Sequence, residues 1–200
     1  MGTISYLRNF ARDRNIASIT PTSSFGVNRI MRGIDFKKAK VIVEYGPGLG
    51  VFTEKLLAQM HEDAMLIAIE ANSHFARALS AKFEDSRAHI VNDSAENVLD
   101  ILQGCNVQSA DYIISGIPFS MFPVELKDRI LDNTRQALSK EGRFFVYQFF
   151  GLPSKSKTDI KYKLAEHMDI VRSEVEMLNI PPLRIFEAAA AAESARSATS

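Results

Sequence analysis

The chain has 200 residues, of which 46% are hydrophobic, and this is enough apolar material for one globular domain with a buried core. Its single cysteine, Cys105, excludes an internal disulfide and a cysteine-rich metal cluster, and it is typical of a reducing compartment. The charges balance overall, but residues 1–40 contain eight Lys or Arg against two Asp, which favours an anionic partner (membrane headgroups or nucleic acid) or a solvated basic face.

The first predicted element is a basic amphipathic helix in residues 1–17. The stretch "ISYLRNFARDRNIASI" has Leu7 and Phe10 on one helical face, with Arg8 and Arg12 beside it. Such a helix can lie at the headgroup boundary of an anionic membrane, or it can simply cover the domain that follows. The sequence has no signal-peptide pattern and no apolar run long enough to cross a bilayer. We therefore expect a cytoplasmic protein.

Strands and helices alternate through the middle of the chain. Helical stretches separate the predicted strands, which are "AKVIVEY", "AMLIAIE", "AHIVND", "ADYIISG" and "RFFVYQFF". We expect Ser73 to cap the second of these helices and "KEG" (140–142) to close the fourth. This alternation predicts a mainly parallel sheet with helices on both faces. A helix in "IKYKLAEHM" and a hairpin ending in "LRIFEA" then add an antiparallel strand, and residues 188–200 are predicted to be a disordered tail.

A glycine-rich loop follows the first strand, at the place where open α/β sheets bind ligands. Gly46, Gly48 and Gly50 have the spacing G-x-G-x-G, which differs from the dinucleotide-binding G-x-G-x-x-G. Glu44 stands just before them, and a carboxylate there would repel a pyrophosphate. It would suit a cationic nucleoside without a phosphate, and S-adenosylmethionine (AdoMet) is such a ligand.

Two further acids end the next two strands. Glu70 follows Gly50 by 20 residues, as expected for a carboxylate that accepts hydrogen bonds from ribose hydroxyls. Asp93 could accept a hydrogen bond from the adenine amino group. Each acid alone could be a helix cap or a solvated strand end. Acids at successive strand ends, with a glycine loop after the first of them, favour a nucleoside pocket.

These motifs resemble the cofactor motifs of class I AdoMet-dependent methyltransferases. The stretches that match, in order and spacing, are "VEYGPGLGVFTEKLL", "IAIEANSHF", "NDSAENV" and "DYIISGIPFS". Within this class the chain is most similar to the small bacterial phospholipid N-methyltransferases, relatives of the ribosomal RNA adenine dimethyltransferases, through "TPTSSF", "SGIPF" and "NIPPLRIF". The resemblance covers residues 18–187 and implies a Rossmann-like methyltransferase domain there.

The resemblance implies roles for individual residues. Glu44 and the glycine loop would hold the methionine part of AdoMet, Glu70 the ribose, and Asp93 the adenine. The implied cofactor-binding residues are Thr22, Ser23, Ser24, Glu44, Tyr45, Gly46, Gly48, Gly50, Glu70, Ala71, Asp93, Ser94 and Ser115. The hydroxyls of residues 22–24 could instead form a proline turn and a helix cap. The implied acceptor site is Ser115, Gly116, Ile117, Pro118 and Tyr147, and core packing is the other role open to Tyr147. No metal is expected, and no catalytic base is assigned.

The corner "SGIPF" bears on the acceptor. Adenine-N6 methyltransferases of this superfamily usually have an amide residue before the proline and the aromatic residue, and the amide activates a poorly nucleophilic nitrogen. Ser115 and Gly116 replace that pattern, although Phe119 could still stack on a base. An aliphatic amine needs no such activation. The expected acceptor is therefore a phospholipid amine such as that of phosphatidylethanolamine, with Arg8 and Arg12 docked on the anionic inner membrane surface. Methylation of a ribosomal RNA adenine and non-catalytic AdoMet binding are the alternatives.

Overall fold

The computed structural model describes residues 24–149, 159–178 and 182–190. The predicted helix 1–17, Thr22, Ser23 and residues 191–200 lie outside these ranges. The helices are α1 (Ser24–Met31), α2 (Val51–Gln59), α3 (Ser73–Lys82), α4 (Val98–Gly104), α5 (Val124–Ala137) and α6 (Ile160–His167). The strands are β1 (Val41–Tyr45), β2 (Met65–Ile69), β3 (Ala88–Val91), β4 (Ala110–Ser115), β5 (Leu138–Phe149), β6 (Met168–Glu176) and β7 (Leu183–Ala190). Short 3₁₀ helices lie at Ala95–Asn97 and Phe119–Met121.

The strands form one sheet in the order β3-β2-β1-β4-β5-β7-β6. Strands β1 to β5 are parallel to one another, and β7 lies antiparallel between β5 and β6. The predicted mainly parallel sheet with an added antiparallel hairpin is confirmed. We call the end of the sheet where β1 to β5 finish the carboxyl end, and the opposite end the amino end. The winding direction changes between β1 and β4, and ligands bind beyond the carboxyl end at such a point.

The core lies on both faces of the sheet. Residues one step apart in a strand point to opposite faces, so neighbours in β1 belong to different clusters. Val43 and Tyr45 pack with α4, α5 and α6. Ile42 packs with α1 and α2. Glu44 has the same parity as Ile42, and its side chain therefore faces α2.

Two predicted boundaries are wrong, both because the neighbouring residues pair in the sheet. Helix α5 ends at Ala137, before the "KEG" segment, since Leu138 is already extended and pairs with Ala110 at the start of β4. Strand β7 continues to Ala190, so the first three residues of the predicted tail belong to the sheet. Ala188, for example, is fully buried and pairs with Phe144.

Candidate cofactor and acceptor site

The loop between β1 and α2 contains three glycines in the left-handed backbone region. Gly46, Gly48 and Gly50 have φ angles of 67°, 56° and 79°, which residues with a Cβ rarely adopt. A Cβ on Gly46 would lie 2.7 Å from the Ile117 side chain, and one on Gly50 would lie 2.6 Å from the Phe83 ring. A Cβ on Gly48 would meet no atom within 4 Å. The outer glycines therefore permit close packing, while the middle one faces open space.

Glu44 places a buried carboxylate beside this loop. The residue is 3% exposed, and Thr53 Oγ1 donates a 2.7 Å hydrogen bond to its Oε2. Burial raises the pKa of Glu44 to about 7; the Thr53 hydrogen bond opposes this increase, and the charge of Glu70 adds to it. A bound cation would stabilise the charged form of this carboxylate.

Glu70 connects the end of β2 to the glycine loop. Its Oε2 accepts a 3.0 Å hydrogen bond from the Gly48 N–H, and its Oε1 accepts one of 2.8 Å from the Asn72 N–H. Burial raises the pKa of Glu70, and these two donors oppose the increase. In the described ranges no Lys or Arg forms an ion pair with Glu70 or Glu44. Two buried acids thus lie at neighbouring strand ends without a cationic partner there.

The turn after Glu70 shows that the predicted cap of α3 is wrong. Ser73 is already the first helical residue, and Asn72 is the cap: its Oδ1 accepts hydrogen bonds from the N–H groups of His74 (2.9 Å) and Phe75 (3.4 Å). Because the Asn72 N–H also donates to Glu70, the cap orients that carboxylate. Ala71 lies exposed in this turn.

Asp93 and Ser94 lie at the end of β3, both partly buried. The Asp93 Oδ1 accepts hydrogen bonds from the Ser94 N–H (2.7 Å) and the Asn97 Nδ2 (2.8 Å), while Ser94 caps the following 3₁₀ helix. Asn92 Nδ2 donates a 2.8 Å hydrogen bond to the Glu70 carbonyl, which links the ends of β2 and β3. The three acids therefore lie at the carboxyl ends of three adjacent strands, with Asp93 also stabilising its own turn.

We call the "SGIPF" segment, which is predicted to hold the acceptor, the acceptor corner; it begins at the end of β4. The Gly116 N–H donates a 2.9 Å hydrogen bond to the Tyr45 carbonyl, which holds the corner against β1. Ser115 pairs with Tyr45, so its side chain points to the face of the sheet that α4, α5 and α6 cover. It is fully buried, and its Oγ has no hydrogen-bond partner within the described residues. Only the main chain of Ser115 is positioned to contribute to either predicted site.

Three other predicted site residues lie in different surroundings. The Tyr45 side chain lies in the core, where its hydroxyl shares a 3.1 Å hydrogen bond with Thr134 Oγ1, so only its main chain borders the corner. Pro118 precedes the 3₁₀ helix that leads to α5. The Ile117 side chain contacts the glycine loop at Gly46.

Tyr147, near the end of β5, reaches the same corner. Its ring stacks on Phe52 of α2, with centroids 5.5 Å apart and planes inclined by 24°. Its hydroxyl lies 2.8 Å from the point that a Cβ on Gly116 would occupy. The ring therefore takes part in packing, and the hydroxyl lies at the predicted acceptor position.

Sequence reasoning missed three residues that support the site. Thr53 and Phe52 lie in the first turn of α2, and Asn72 precedes α3. Their positions at helix starts could have identified them. The first-turn residues of α2 follow directly on the glycine loop, and Asn is a favoured helix cap. Of the three predicted "TPTSS" residues, Ser24 is the first residue of α1, and the other two lie outside the described ranges.

The described residues include one group with metal-binding potential, Asp128, Glu166 and His167, at the α5–α6 contact. Lys163 lies among them, with its Nζ 3.0 Å from Asp128 Oδ1 and 2.7 Å from Glu166 Oε2. We interpret the group as an ion-pair cluster that holds the two helices together.

The site fits AdoMet by its own chemistry. Two buried carboxylates with raised pKa values suit a ligand that bears an ammonium and a sulfonium. Open space at Gly48 gives such a ligand access to the loop. This sheet, with acids at the carboxyl ends of three adjacent strands and a glycine loop after β1, defines a class I AdoMet-dependent methyltransferase.

Known proteins agree with this class. The family model for ribosomal RNA adenine dimethylase matches residues 20–111. Ornithine lipid N-methyltransferase from Singulisphaera acidiphila is 31% identical over 149 residues, 70% of this chain and 78% of that protein. Ribosomal RNA small subunit methyltransferase A from Mycoplasma mycoides subsp. mycoides is 30% identical over 57% of this chain and 38% of that protein. The structure of Burkholderia thailandensis 1,6-didemethyltoxoflavin-N1-methyltransferase has the same fold (TM-score 0.68, 13% identity, 94% of this chain and 90% of that chain).

The chain belongs to the class I AdoMet-dependent methyltransferase family whose members include ornithine lipid N-methyltransferase and the ribosomal RNA adenine dimethylases. It is an N-methyltransferase, and AdoMet is its methyl donor. The roles of individual site residues stay predictions, and the geometry above states which of them lie together.

Proposed function

We propose that the protein methylates the primary amine of a membrane lipid headgroup, such as that of phosphatidylethanolamine. The observation that carries the proposal is the acceptor corner, where Gly116 has no side chain and the Tyr147 hydroxyl lies 2.8 Å from the point where a Cβ would be. The amide that activates an adenine amine has no room at this point. The similarity to an ornithine lipid N-methyltransferase, over 78% of its length, also supports a lipid amine.

The chemistry of such an acceptor requires little from side chains. An alkylammonium loses its proton near pH 10 in water, and burial away from water lowers that pKa. Bound AdoMet supplies an electrophilic methyl group on a sulfonium, which becomes a neutral thioether after transfer. The chain's own contribution is to hold the amine at the corner and to exclude water from it.

The exposed apolar side chains support a membrane as the source of the substrate. Five of the eight that are exposed in the described residues lie in the connections and first helical turns at the carboxyl end of the sheet, and we call them the apolar rim: Leu49, Val51, Met121, Met177 and Leu178. The last two follow directly on β6 and are 65% and 64% exposed. No helix within residues 24–149, 159–178 and 182–190 could span a membrane. We propose peripheral attachment at the inner membrane surface, through the apolar rim and through Arg8 and Arg12.

Methylation of ribosomal RNA adenine is the second candidate, because the dimethylase family model matches the chain. That match ends at residue 111, before the acceptor corner begins at Ser115. It therefore covers the cofactor half of the site and leaves out the residues that would select an adenine. This favours the lipid amine.

The test supplies methyl-tritiated AdoMet with several acceptors in parallel. They are vesicles containing phosphatidylethanolamine, vesicles containing an ornithine lipid, vesicles of phosphatidylglycerol as the amine-free control, and a ribosomal RNA transcript. We expect label in an aminolipid, with mass increments of one methyl group, and none in the control vesicles or the RNA. Label in RNA and none in any lipid would refute the proposal.

The apolar rim is tested with a matched pair of substitutions. Leu178→Asp places a charge in the rim just after β6, whereas Val171→Asp does so within β6, at a residue that is 56% exposed and outside the rim. Burying a leucine side chain contributes about 1.5–3 kcal/mol, so we expect the first variant to bind vesicles about tenfold more weakly. The second should stay within twofold of the parent in the same flotation assay. Equal effects of the two substitutions, or no effect of either, would contradict a rim that enters the membrane.

A further inference from the structure

The Tyr147 hydroxyl occupies the space beside Gly116. A Cβ on Gly116 would lie 2.8 Å from the Tyr147 oxygen, 3.2 Å from the Gly46 carbonyl oxygen and 3.5 Å from that of Tyr45. Two of these three neighbours are main-chain atoms, which cannot move aside without displacing the glycine loop or β1. A side chain at position 116 can therefore be accommodated only if the Tyr147 side chain moves.

The sheet register explains why these two residues meet. Ser115 pairs with Val146, so the next residue of each chain segment, Gly116 and Tyr147, lie side by side. The Tyr147 ring is held by Phe52 on α2 and by its place in β5, where it pairs with Ile185 of β7. The stacking fixes the ring and the strand pairing fixes its main chain, and together they set the direction of the hydroxyl. The hydroxyl is thus a rigid polar group at the acceptor corner.

We propose that the Tyr147 hydroxyl orients the acceptor amine, in the place where nucleobase enzymes of this class have an amide side chain. The inference rests on the proposed function and adds to it the residue pair that selects the acceptor. The amine N–H donates a hydrogen bond to the phenolic oxygen, which directs the nitrogen lone pair towards the methyl group. That lone pair forms the new nitrogen–carbon bond as the sulfur–carbon bond of the methyl donor breaks and leaves its electron pair on sulfur. The proton that the ammonium loses beforehand passes to water.

The pair also explains a preference for aliphatic amines. A single hydroxyl makes one hydrogen bond to one nitrogen, and it leaves the rest of the headgroup unconstrained. An adenine needs a planar amide that pairs with its exocyclic amine, and the Tyr147 oxygen fills that position. Gly116 and Tyr147 would therefore act together, because the lack of a side chain at position 116 leaves room for the Tyr147 hydroxyl.

The principal test is Tyr147→Phe, which keeps the ring and its stacking on Phe52 but removes the oxygen. We expect kcat for vesicles of the aminolipid that the parent enzyme labels to fall about 10- to 100-fold, the loss expected for one hydrogen bond at a reacting centre. The KM for AdoMet, the affinity for S-adenosylhomocysteine measured by calorimetry and the melting temperature should all stay close to the parent values. A kcat within twofold of the parent, or a parallel loss of cofactor affinity, would overturn the inference.

A second variant tests the shared space and has a readout besides activity. Gly116→Ala brings its methyl group against the hydroxyl, and we expect a lower melting temperature. Adding Tyr147→Phe removes the oxygen and should recover most of that loss, although the double variant stays poorly active. Simple additivity of the two melting-temperature changes would contradict the proposed contact. Failure of the proposed function gives a different result, since the parent enzyme would then label no lipid at all.

Discussion

The two ends of the sheet shift the pKa values of their acidic residues in opposite directions. At the amino end, Asp85 accepts hydrogen bonds from the Arg87 guanidinium at 2.7 and 3.0 Å, and this pairing lowers the pKa of Asp85 to about 2. Asp63 accepts a 2.6 Å hydrogen bond from Lys40, which lowers its pKa in the same way. At the carboxyl end, burial raises the pKa values of Glu44 and Glu70.

This difference distinguishes the acids that form ion pairs within the chain from those whose positive partner must come from a ligand. The amino-end carboxylates have cations of the chain beside them, so their charge is already compensated. The carboxyl-end carboxylates are desolvated, and their hydrogen bonds come from Thr53 and from main-chain N–H groups. A missing positive charge in a buried acidic pocket indicates that the ligand supplies it, as AdoMet does.

The largest effect that would sharpen this comparison is expected from Glu70→Ala. Hydrogen bonds to a charged group contribute about 1.5–3 kcal/mol each, and loss of two to the ribose should weaken AdoMet binding at least 100-fold. Calorimetry with the cofactor measures this directly. Asp63→Ala at the other end is the matched control and should leave the affinity unchanged, because Asp63 belongs to an exposed ion pair with Lys40 at the opposite end of the sheet. The comparison fails if both variants bind AdoMet equally well.

The next effect concerns the glycines of the two ends. Gly50→Ala forces a Cβ into left-handed backbone and against Phe83 and Leu79, at 2.6 and 2.8 Å. Strain and overpacking together should cost about 3 kcal/mol, or roughly 5–10 °C in melting temperature for a domain of this size. Gly104→Ala, at the last residue of α4, meets no atom within 4 Å and should change little. Scanning calorimetry of both variants decides the matter, and a similar stability for the two would show that the loop tolerates a side chain.

The sequence predicted the features that follow from local pattern. Apolar strands alternating with amphipathic helices gave the parallel sheet, and the strand ends located Glu44, Glu70 and Asp93 beside the glycine loop. What local pattern could not supply was pairing between distant segments. The extension of β5 back to Leu138 depends on its pairing with Ala110.

The sequence alone also could not predict the direction in which the side chains point. Ser115 and Tyr147 were both expected at the acceptor, yet the register of β1, β4 and β5 decides their faces. It turns the Ser115 side chain into the core and brings the Tyr147 hydroxyl to Gly116. The hydrogen bond from Thr53 to Glu44 could not be predicted from the sequence either, because it requires α2 to pack on the face of the sheet to which Glu44 points.

The smallest effect is a pH dependence of opposite sign at the two ends. The folded pKa of Glu44, about 7, lies above its ordinary value of 4.5, so folding favours the protonated form. Its contribution to stability is complete below pH 4.5 and is lost as the pH rises through 7. Without AdoMet, the parent should lose about 2 kcal/mol relative to Glu44→Gln between pH 5 and 7.5, measured by urea unfolding. Parallel pH profiles for the two proteins would mean that the carboxylate is not desolvated.

Asp85→Asn provides the opposite arm of the same experiment. The pKa of Asp85, lowered to about 2 by Arg87, contributes stability above its ordinary value of 3.8, and this stability is lost as the pH falls towards 2. Since the carboxylate is partly open to solvent, we expect this contribution to be at most about 1 kcal/mol and to be lost only at acidic pH. At pH 7 the Asp85→Asn variant should be slightly less stable than the parent, whereas Glu44→Gln should be more stable. If both substitutions shift stability in the same direction at pH 7, the contrast between compensated and uncompensated acids is wrong.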